Sequence, residues 1–146
     1  MLQLNANDDV LESGEGTFTQ LAGNISAQSS SYTLTKDYAY NSTVDGDYVN
    51  GIVINKDFTI DGDGHSISGS GAARIFNVSG GTVTLKNINI CDGKSYNAGA
   101  VLFGENTVGT LDNCTFTNNG GAVVFNGDAT VTNCNFTKKL ASYGRL

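Results

Sequence analysis

The chain contains no proline and no tryptophan, and it has only one histidine among its 146 residues. A disordered linker usually carries proline and few aliphatic residues, so this composition argues against disorder. The single histidine, His65, excludes any site that needs several histidine ligands, and it is best interpreted as a packed or solvent-facing turn residue. Glycine is abundant instead, with 19 residues. Together with many Asn, Thr and Ser residues and few helix formers, this predicts short strands joined by tight turns.

Charge and long apolar runs are also scarce. Charged residues make up 15 % of the chain and the net charge is -6. No basic patch with interleaved aromatic residues is present, which argues against a nucleic-acid partner. No apolar run approaches the ~18 residues that span a membrane, and the start MLQLNAND lacks the basic and apolar regions of a signal peptide. We expect neither a membrane-spanning segment nor a signal peptide within this sequence.

The cysteines do not form a recognisable metal or disulfide pattern. There are three, Cys91, Cys114 and Cys134, without a C-x-x-C pair and without a neighbouring histidine. The odd number argues against a disulfide framework, and two of them occupy the repeat position of Ile88. We expect Cys114 and Cys134 to serve as small buried apolar residues, and we expect no cofactor.

A repeated pattern dominates the second half of the chain. VTLKNINI from Val83, GTLDNCTF from Gly109 and ATVTNCNF from Ala129 follow one another at spacings of 26 and 20 residues. GAVLF and GAVVF alternate with them. Repeats of this length are typical of solenoids. With strands of ~3–5 residues, three per coil, they predict an all-β fold, a right-handed parallel β-helix.

The aligned positions of the repeat predict how the coils stack. One apolar column comprises Leu85, Leu111 and Val131. An asparagine column comprises Asn87, Asn113 and Asn133, and Gly62 falls at the same position in the first coil. Gly and Asn accept the left-handed backbone conformation at low cost, so we predict a bend here and a ladder of amide hydrogen bonds.

The second repeated element predicts two further apolar columns. One contains Val53, Ile75, Leu102 and Val124, and the other contains Ile54, Phe76, Phe103 and Phe125. Which of them faces the core is left open by the pattern. The same alignment places Arg74 beside Val101 and Val123, in a column expected to face outward.

The chain divides into a flexible acidic leader (1–16), an N-terminal capping helix (17–31) and the β-helix (32–146). Phe18, Leu21 and Ile25 recur on one helical face, and Thr17 with Gln20 forms a capping box. A helix laid across the first coil would cover its open apolar end. After Phe136 the sequence enters another coil and stops within it. We therefore expect self-association through an open C-terminal coil.

Several segments resemble a known class of surface proteins. Gly120-Gly121-Ala122-Val123 after FTNN resembles the GGA[I/L/V] and F-x-x-N repeats of polymorphic outer-membrane proteins. TLTKDYAYN, IVINKDFTIDGDGHSISG, RIFNVSGGTVTLKNI and NCTFTNNGGAVVF look like the adhesin-like surface proteins of methanogenic archaea, over about Thr17 to Ala141. The resemblance implies a right-handed β-helix within a large secreted, cell-wall-associated archaeal protein that continues into more coils. It also implies adhesion to cells or glycans at an extracellular location.

Candidate chemistry is sparse. Asp61 and Asp63 are weak candidates for Ca²⁺, but the later glutamate of a calcium loop is missing, so we expect no metal. β-Helices also include polysaccharide lyases and glycoside hydrolases, and a fragment of such an enzyme is the alternative reading. Hydrolysis needs two nearby carboxylates, whereas Lys86 separates Asp61 from Asp112 in the aligned column. We expect no catalysis.

Binding is expected on outward positions and in the unequal loops between the repeats, such as 92–98. The outward threonine column comprises Thr59, Thr84, Thr110 and Thr130. Candidates for an exposed aromatic contact are Tyr38, Tyr40 and Tyr48, with packing between the helix and the first coil as the alternative. Possible glycosylation sites are Asn24, Asn41, Asn77 and Asn135. Asn113 also lies in a sequon, but the bend makes it a poor acceptor.

Overall fold

A computed structural model describes residues 14–137, which contain one short helix followed by a series of parallel strands. The helix α1 spans Phe18–Ala27, and a 3-10 turn spans Gly46–Tyr48. The strands are β1 Ser31–Thr33, β2 Tyr38–Ala39, β3 Ile52–Asn55, β4 Phe58–Asp61, β5 Ser66–Ser68, β6 Phe76–Lys86, β7 Asn89–Cys91, β8 Val101–Phe103, β9 Thr107–Asp112, β10 Thr115–Thr117, β11 Val123–Phe125, β12 Asp128–Thr132 and β13 Asn135–Thr137. Residues 1–13 and 138–146, which hold most of the expected leader and the final partial coil, lie outside the described residues.

The strands form a parallel β-solenoid of about 4 turns, so the predicted solenoid with an N-terminal helix is confirmed. The first face stacks β1, β4, the second half of β6, β9 and β12. The second face stacks β2, β5, β7, β10 and β13. The third face stacks β3, the first half of β6, β8 and β11. β6 belongs to two faces because it runs through the corner between them without a break.

The bend between the first and second faces is set by asparagine, as predicted. Asn87, Asn113 and Asn133 have φ values of 57°, 55° and 54°, in the left-handed region. Gly62 does not take this role: in the first coil the positive φ values belong to Asp63 (49°) and Gly64 (84°). The connection between β4 and β5 is longer than that between β6 and β7, so the bend moves along the chain. Gly62 is needed for a different reason, since a Cβ there would run into the carbonyl oxygen of Asn87.

The core is built from inward columns, one on each face. On the first face Leu85 and Leu111 are fully buried, whereas Val131, in the last described coil, is 47 % exposed. On the second face Ile67, Ile90 and Phe116 are in register. Aromatic rings continue two of the columns, with Phe116 stacked on Phe136 at 4.6 Å between ring centroids, and Phe103 on Phe125 at 4.7 Å.

The third face corrects the predicted alignment. One column on this face contains Val53, Asn77, Leu102 and Val124, and the next contains Ile54, Val78, Phe103 and Phe125. The predicted partners Ile75 and Phe76 were therefore misplaced by two residues. The Ile54 column faces the core and Val53 is 58 % exposed. Apolar identity alone could not show this, because the polar residue Asn77 stands in the outward column.

Helix α1 covers the first coil. The Thr17 side chain accepts a hydrogen bond from Gln20 N at 3.1 Å, and Gln20 Oε1 accepts one from Thr17 N at 3.0 Å, which confirms the capping box. Phe18, Leu21 and Ile25 are buried. The helix ends at Ala27, because Gln28 already has an extended backbone (φ -105°, ψ 147°), so it is shorter than the predicted range 17–31. Gly16 is buried and forms a β-bridge to Tyr38, so the last residue of the predicted leader (1–16) packs against the first coil.

A buried carboxylate fastens the start of α1 to the loop 41–45. Asp45 is 0 % exposed. Its Oδ2 accepts hydrogen bonds from Phe18 N at 3.0 Å and Asn41 N at 2.8 Å, and its Oδ1 accepts from Thr19 N at 2.8 Å and Thr19 Oγ1 at 2.7 Å. A negative charge at a helix N-terminus satisfies free N–H groups and is favoured by the helix dipole. Within residues 14–137 no helix has the length and apolar character that crossing a membrane would require.

Candidate functional site

The outward threonine column exists as predicted. Thr59, Thr84, Thr110 and Thr130 are in register on the first face, where they are partly or fully exposed. The neighbouring outward column is mixed, with Asp61, Lys86 and Asp112 stacked in that order. A lysine therefore separates the two carboxylates, as the sequence predicted. Whether the threonines bind anything stays a prediction.

The aromatic candidates are corrected by the structure. Tyr38 is 2 % exposed and Tyr40 is 8 % exposed, so neither offers an exposed contact. The hydroxyl oxygens of Tyr38 and Tyr32 lie 3.2 Å apart, and Phe18 packs edge-on against Tyr40 at 5.5 Å between centroids. Burial raises the pKa of Tyr38 above its ordinary value. These rings pack between the helix and the first coil. Tyr48 is likewise partly buried against the core.

Among residues 14–137 the most exposed aromatic side chain is that of Tyr96, which lies fully exposed in the loop 92–98. This loop was the sequence signal that pointed to it, but the tyrosine itself was not singled out.

One of the candidate sequons lies in an unsuitable position. Asn24 Nδ2, the atom that would carry a glycan, donates hydrogen bonds to Tyr32 Oη at 3.1 Å and Tyr38 Oη at 3.2 Å. A glycan on Asn24 would displace these contacts. Asn41 and Asn135 are exposed and Asn77 is partly exposed. Glycosylation at these three positions stays a prediction.

The predicted amide ladder is present. Asn113 Nδ2 donates to Asn87 Oδ1 at 2.8 Å, and Asn87 Nδ2 donates to Asp61 Oδ1 at 3.0 Å. Asn133 shares the backbone conformation of the ladder residues in the next coil. The ladder therefore links successive coils along the solenoid axis, at the corner between the first and second faces.

A second ladder, which the sequence analysis missed, runs beside the first. Thr115 Oγ1 donates to Asn89 Oδ1 at 2.6 Å, and Asn89 Nδ2 donates to the carbonyl oxygen of Gly64 at 3.1 Å. Between the two ladders lies an open groove of about 350 Å³, here called the amide groove. Its lining residues are Asp63, Gly64, Asn87, Asn89, Asn113 and Thr115. Recurrence of Asn or Thr two residues after the bend was the available sequence signal.

Asp61 is held at the edge of the amide groove by hydrogen bonds. The amide of Asn87 and the backbone N–H of Asp63 both donate to its Oδ1, and they lower the pKa of Asp61 below its ordinary value. Asp63 is exposed. Within residues 14–137 no group of three or more His, Cys, Asp or Glu side chains converges on a point that could hold a metal ion.

His65 lies in the turn after Asp63, in agreement with its interpretation as a turn residue. Its Nδ1 lies 3.1 Å from Asp37 Oδ1. The backbone N–H of Ser66 donates to the same oxygen at 2.9 Å. The hydrogen bond from Ser66, followed by that from His65, lowers the pKa of Asp37. The histidine thus helps to hold the turn beside the first coil.

Arg74 is buried, contrary to the outward position expected for it. It precedes β6 and is 8 % exposed, while Val101, its expected neighbour, pairs with Phe76. Its guanidinium donates to carbonyl oxygens and to one hydroxyl, and burial lowers its pKa. This residue is a structural anchor and not an exposed base.

All three cysteines are free, and the expected burial is found for Cys114 but only in part for Cys134. Cys114 is fully buried, and Cys91 and Cys134 are partly buried. Burial raises the pKa of the Cys114 thiol to about 11.

No protein-family model matches the sequence, and neither a curated protein nor a solved structure is significantly similar to it. What the protein does must therefore be inferred from its fold and from the chemistry of its surface.

Proposed function

We propose that the protein is a non-catalytic, adhesin-like module of the cell surface that presents a rigid polar face and binds glycans in the amide groove. The observation that supports this proposal is the pair of parallel ladders formed by Asn87 with Asn113 and by Asn89 with Thr115. They place neutral donors and acceptors in fixed register along the solenoid axis. The family resemblance supports the extracellular location.

The chemistry of the amide groove suits sugar hydroxyls. Each asparagine amide has two N–H donors, and each ladder bond uses one of them, which leaves a second donor on Asn87, Asn89 and Asn113. The ladder bonds also fix the side-chain rotamers before a ligand arrives. Binding then costs little ordering entropy at the protein surface.

The coil spacing favours an extended glycan over a single sugar. Adjacent parallel strands lie ~4.8 Å apart, so equivalent amides recur at that interval along the axis. An extended β-linked glycan repeats its sugar units at a similar interval. A chain laid along the groove would therefore meet a similar set of donors in each coil.

The electrostatics of Asp61 argue against this carboxylate as the general acid of a glycoside hydrolase. A general acid for glycoside cleavage needs a raised pKa, whereas the pKa of Asp61 is lowered by Asn87 and Asp63. Lys86, beside it in the column, lowers it further. If the protein were a fragment of a lyase or hydrolase, it would release reducing ends from pectin-like or cell-wall polymers. We expect none in an end-group assay.

A glycan array followed by calorimetric titration tests the proposal. Asn89→Ala and Thr115→Val change the amide groove without touching the left-handed bend, and we expect each to weaken binding at least ~10-fold. Thr84→Val and Thr110→Val are matched controls on the threonine column and should bind normally. If only the control variants lose affinity, the ligand lies on the threonine column. If no glycan binds, glycan recognition by this module is refuted.

Self-association through the C-terminal coil also stays a prediction. Phe136 is 47 % exposed in the last described coil. Light scattering of the protein with and without residues 137–146 provides the measurement. A strict monomer in both forms would contradict it.

A further inference from the structure

A second groove lies at a different corner of the solenoid, where the second face leads into the third. It encloses about 620 Å³ between residues 49–50, 71–72 and 94–96. Its rim carries the fully exposed ring of Tyr96 and the exposed side chain of Lys94. Ala72 and its neighbour Gly71 have almost no side chain, which keeps the groove open. We call it the Tyr96 groove.

Arg74 holds the two walls of this groove together. Nε donates to Ala98 O at 2.9 Å, Nη1 to Asn50 O at 3.1 Å, and Nη2 to Ser95 Oγ at 2.9 Å and Asn97 O at 2.6 Å. Asn50 belongs to one wall, and residues 95–98 belong to the other. One buried side chain therefore fixes the spacing of the walls and the position of the loop that carries Tyr96.

The charged side chains that we associate with the Tyr96 groove, Lys94 in its lining and Arg74 behind it, are both positive, although the chain as a whole is negative. The acceptors of Arg74 are carbonyl and hydroxyl oxygens, so none of these bonds neutralises the guanidinium. Lys94 adds a second positive charge, and none of the groove's lining residues is acidic. In a chain of net charge -6, this site favours an anion.

We propose that the Tyr96 groove binds an acidic sugar unit, a pyranose ring that carries a carboxylate or sulfate group. The apolar face of the ring packs on Tyr96, and the anionic group pairs with Lys94. Arg74 acts as a positioning residue that adds its positive field from below. This site is separate from the amide groove, whose neutral ladders have no charge with which to select an anion.

Titration with three probes of similar length tests the inference: an oligogalacturonate, its neutral methyl ester and a sulfated oligosaccharide. We expect the protein to bind an anionic probe at least ~10-fold more tightly than the ester. Affinity should fall as salt is raised, because Lys94 is exposed and is screened. Preference between the carboxylate and the sulfate probe identifies the anionic group.

Variants then locate the site. Tyr96→Ala should lose at least ~10-fold in affinity, while Tyr96→Phe keeps the ring and should bind normally. Lys94→Gln should lose most of the preference for the acid over the ester, because only the buried charge of Arg74 remains. Lys36→Gln, which changes a lysine between β1 and β2, is the matched control and should match the wild type. Ser95→Ala removes one Arg74 contact, so faster amide exchange of residues 94–97 should accompany a smaller loss of affinity.

The inference is overturned if the wild type binds the acid and the ester equally, or binds none of the probes at millimolar concentration. It is also overturned if Tyr96→Ala and Lys94→Gln bind the anionic probe normally while Asn89→Ala does not. That pattern would place the acidic sugar in the amide groove. If the amide-groove variants bound neutral glycans normally, the proposed role of the amide groove would be refuted. The binding of anionic probes in the Tyr96 groove would not be affected by that outcome, so the two proposals are tested separately.

Discussion

The asparagine ladder makes a quantitative prediction at Asn113. Its φ of 55° is costly for most residues, and its Nδ2 donates to Asn87 Oδ1 at 2.8 Å. A left-handed backbone costs a residue with an ordinary side chain ~1–2 kcal/mol. The ladder hydrogen bond is exposed, so its net contribution is ~0.5–1 kcal/mol.

Three variants separate these contributions. Asn113→Ala incurs the cost of the left-handed backbone and also loses the ladder hydrogen bond, so it should lower the free energy of unfolding by ~2 kcal/mol. Asn113→Gly loses only the hydrogen bond and should cost ~1 kcal/mol or less. Asn113→Asp replaces the donor with a carboxylate that faces the carbonyl of Asn87. It should therefore be less stable than Asn113→Gly at neutral pH.

Urea unfolding followed by circular dichroism measures these differences, with unchanged m values expected. Asn135→Ala, at an exposed asparagine outside the left-handed region, is the matched control and should change stability by less than ~0.5 kcal/mol. Equal stability of the alanine and glycine variants would refute the assignment of the cost to the backbone. A glycine variant as stable as the wild type would show that the ladder bond adds nothing.

Further predictions concern the helix, the first bend, pH and the buried thiol. Asp45→Ala leaves the amides of Phe18 and Thr19 without their carboxylate, so it should destabilise the protein by ~3 kcal/mol or more and speed hydrogen exchange at those amides. Gly62→Ala should be far less stable than Gly46→Ala in thermal melts, because a Cβ at Gly62 meets backbone atoms, whereas a Cβ at Gly46 meets nothing within 4 Å and the Gly46 backbone is not left-handed. Because the pKa of Asp37 is lowered in the folded protein, its contribution to the free energy of unfolding is complete above about pH 4 and is lost as pH falls further. Asp37→Asn should therefore reduce the pH dependence of stability only on the acid side. Cys114, with a pKa of about 11, should resist alkylation at pH 8 until the coil unfolds, and modification at the native-state rate of an exposed thiol would contradict this.

The parts of the fold that could be predicted are those that depend on local or periodic sequence patterns. The bend at Asn87, Asn113 and Asn133 repeats because each coil needs the same backbone conformation at the same corner. The capping box of Thr17 and Gln20 is a contact across three positions. Such features are visible in one sequence because the residues that make them are near neighbours or exact repeats.

The missed features depend on contacts between distant residues. Asp45 caps a helix that begins 27 positions earlier, and no local sequence pattern indicates this contact. The position of Arg74 was misjudged because the alignment of the third face assumed that apolar residues occupy one column, whereas Asn77 stands opposite Val53. The Tyr96 groove combines three separate segments, so its residues come together only when the coils stack.

Strand β6 gives the solenoid an uneven stiffness. The neighbouring coils pass the corner between the third and first faces with two separate strands and a short connection, whereas β6 crosses it as one strand from Phe76 to Lys86. It is also hydrogen-bonded to strands on both sides. Its corner is formed at Gly81, with a φ of 90°, so any resistance of β6 to bending comes from its hydrogen bonds to the strands on both sides. When the solenoid bends or twists, the hinge should lie in the outer coils, and the two grooves should keep their shapes best where they border the coil of β6.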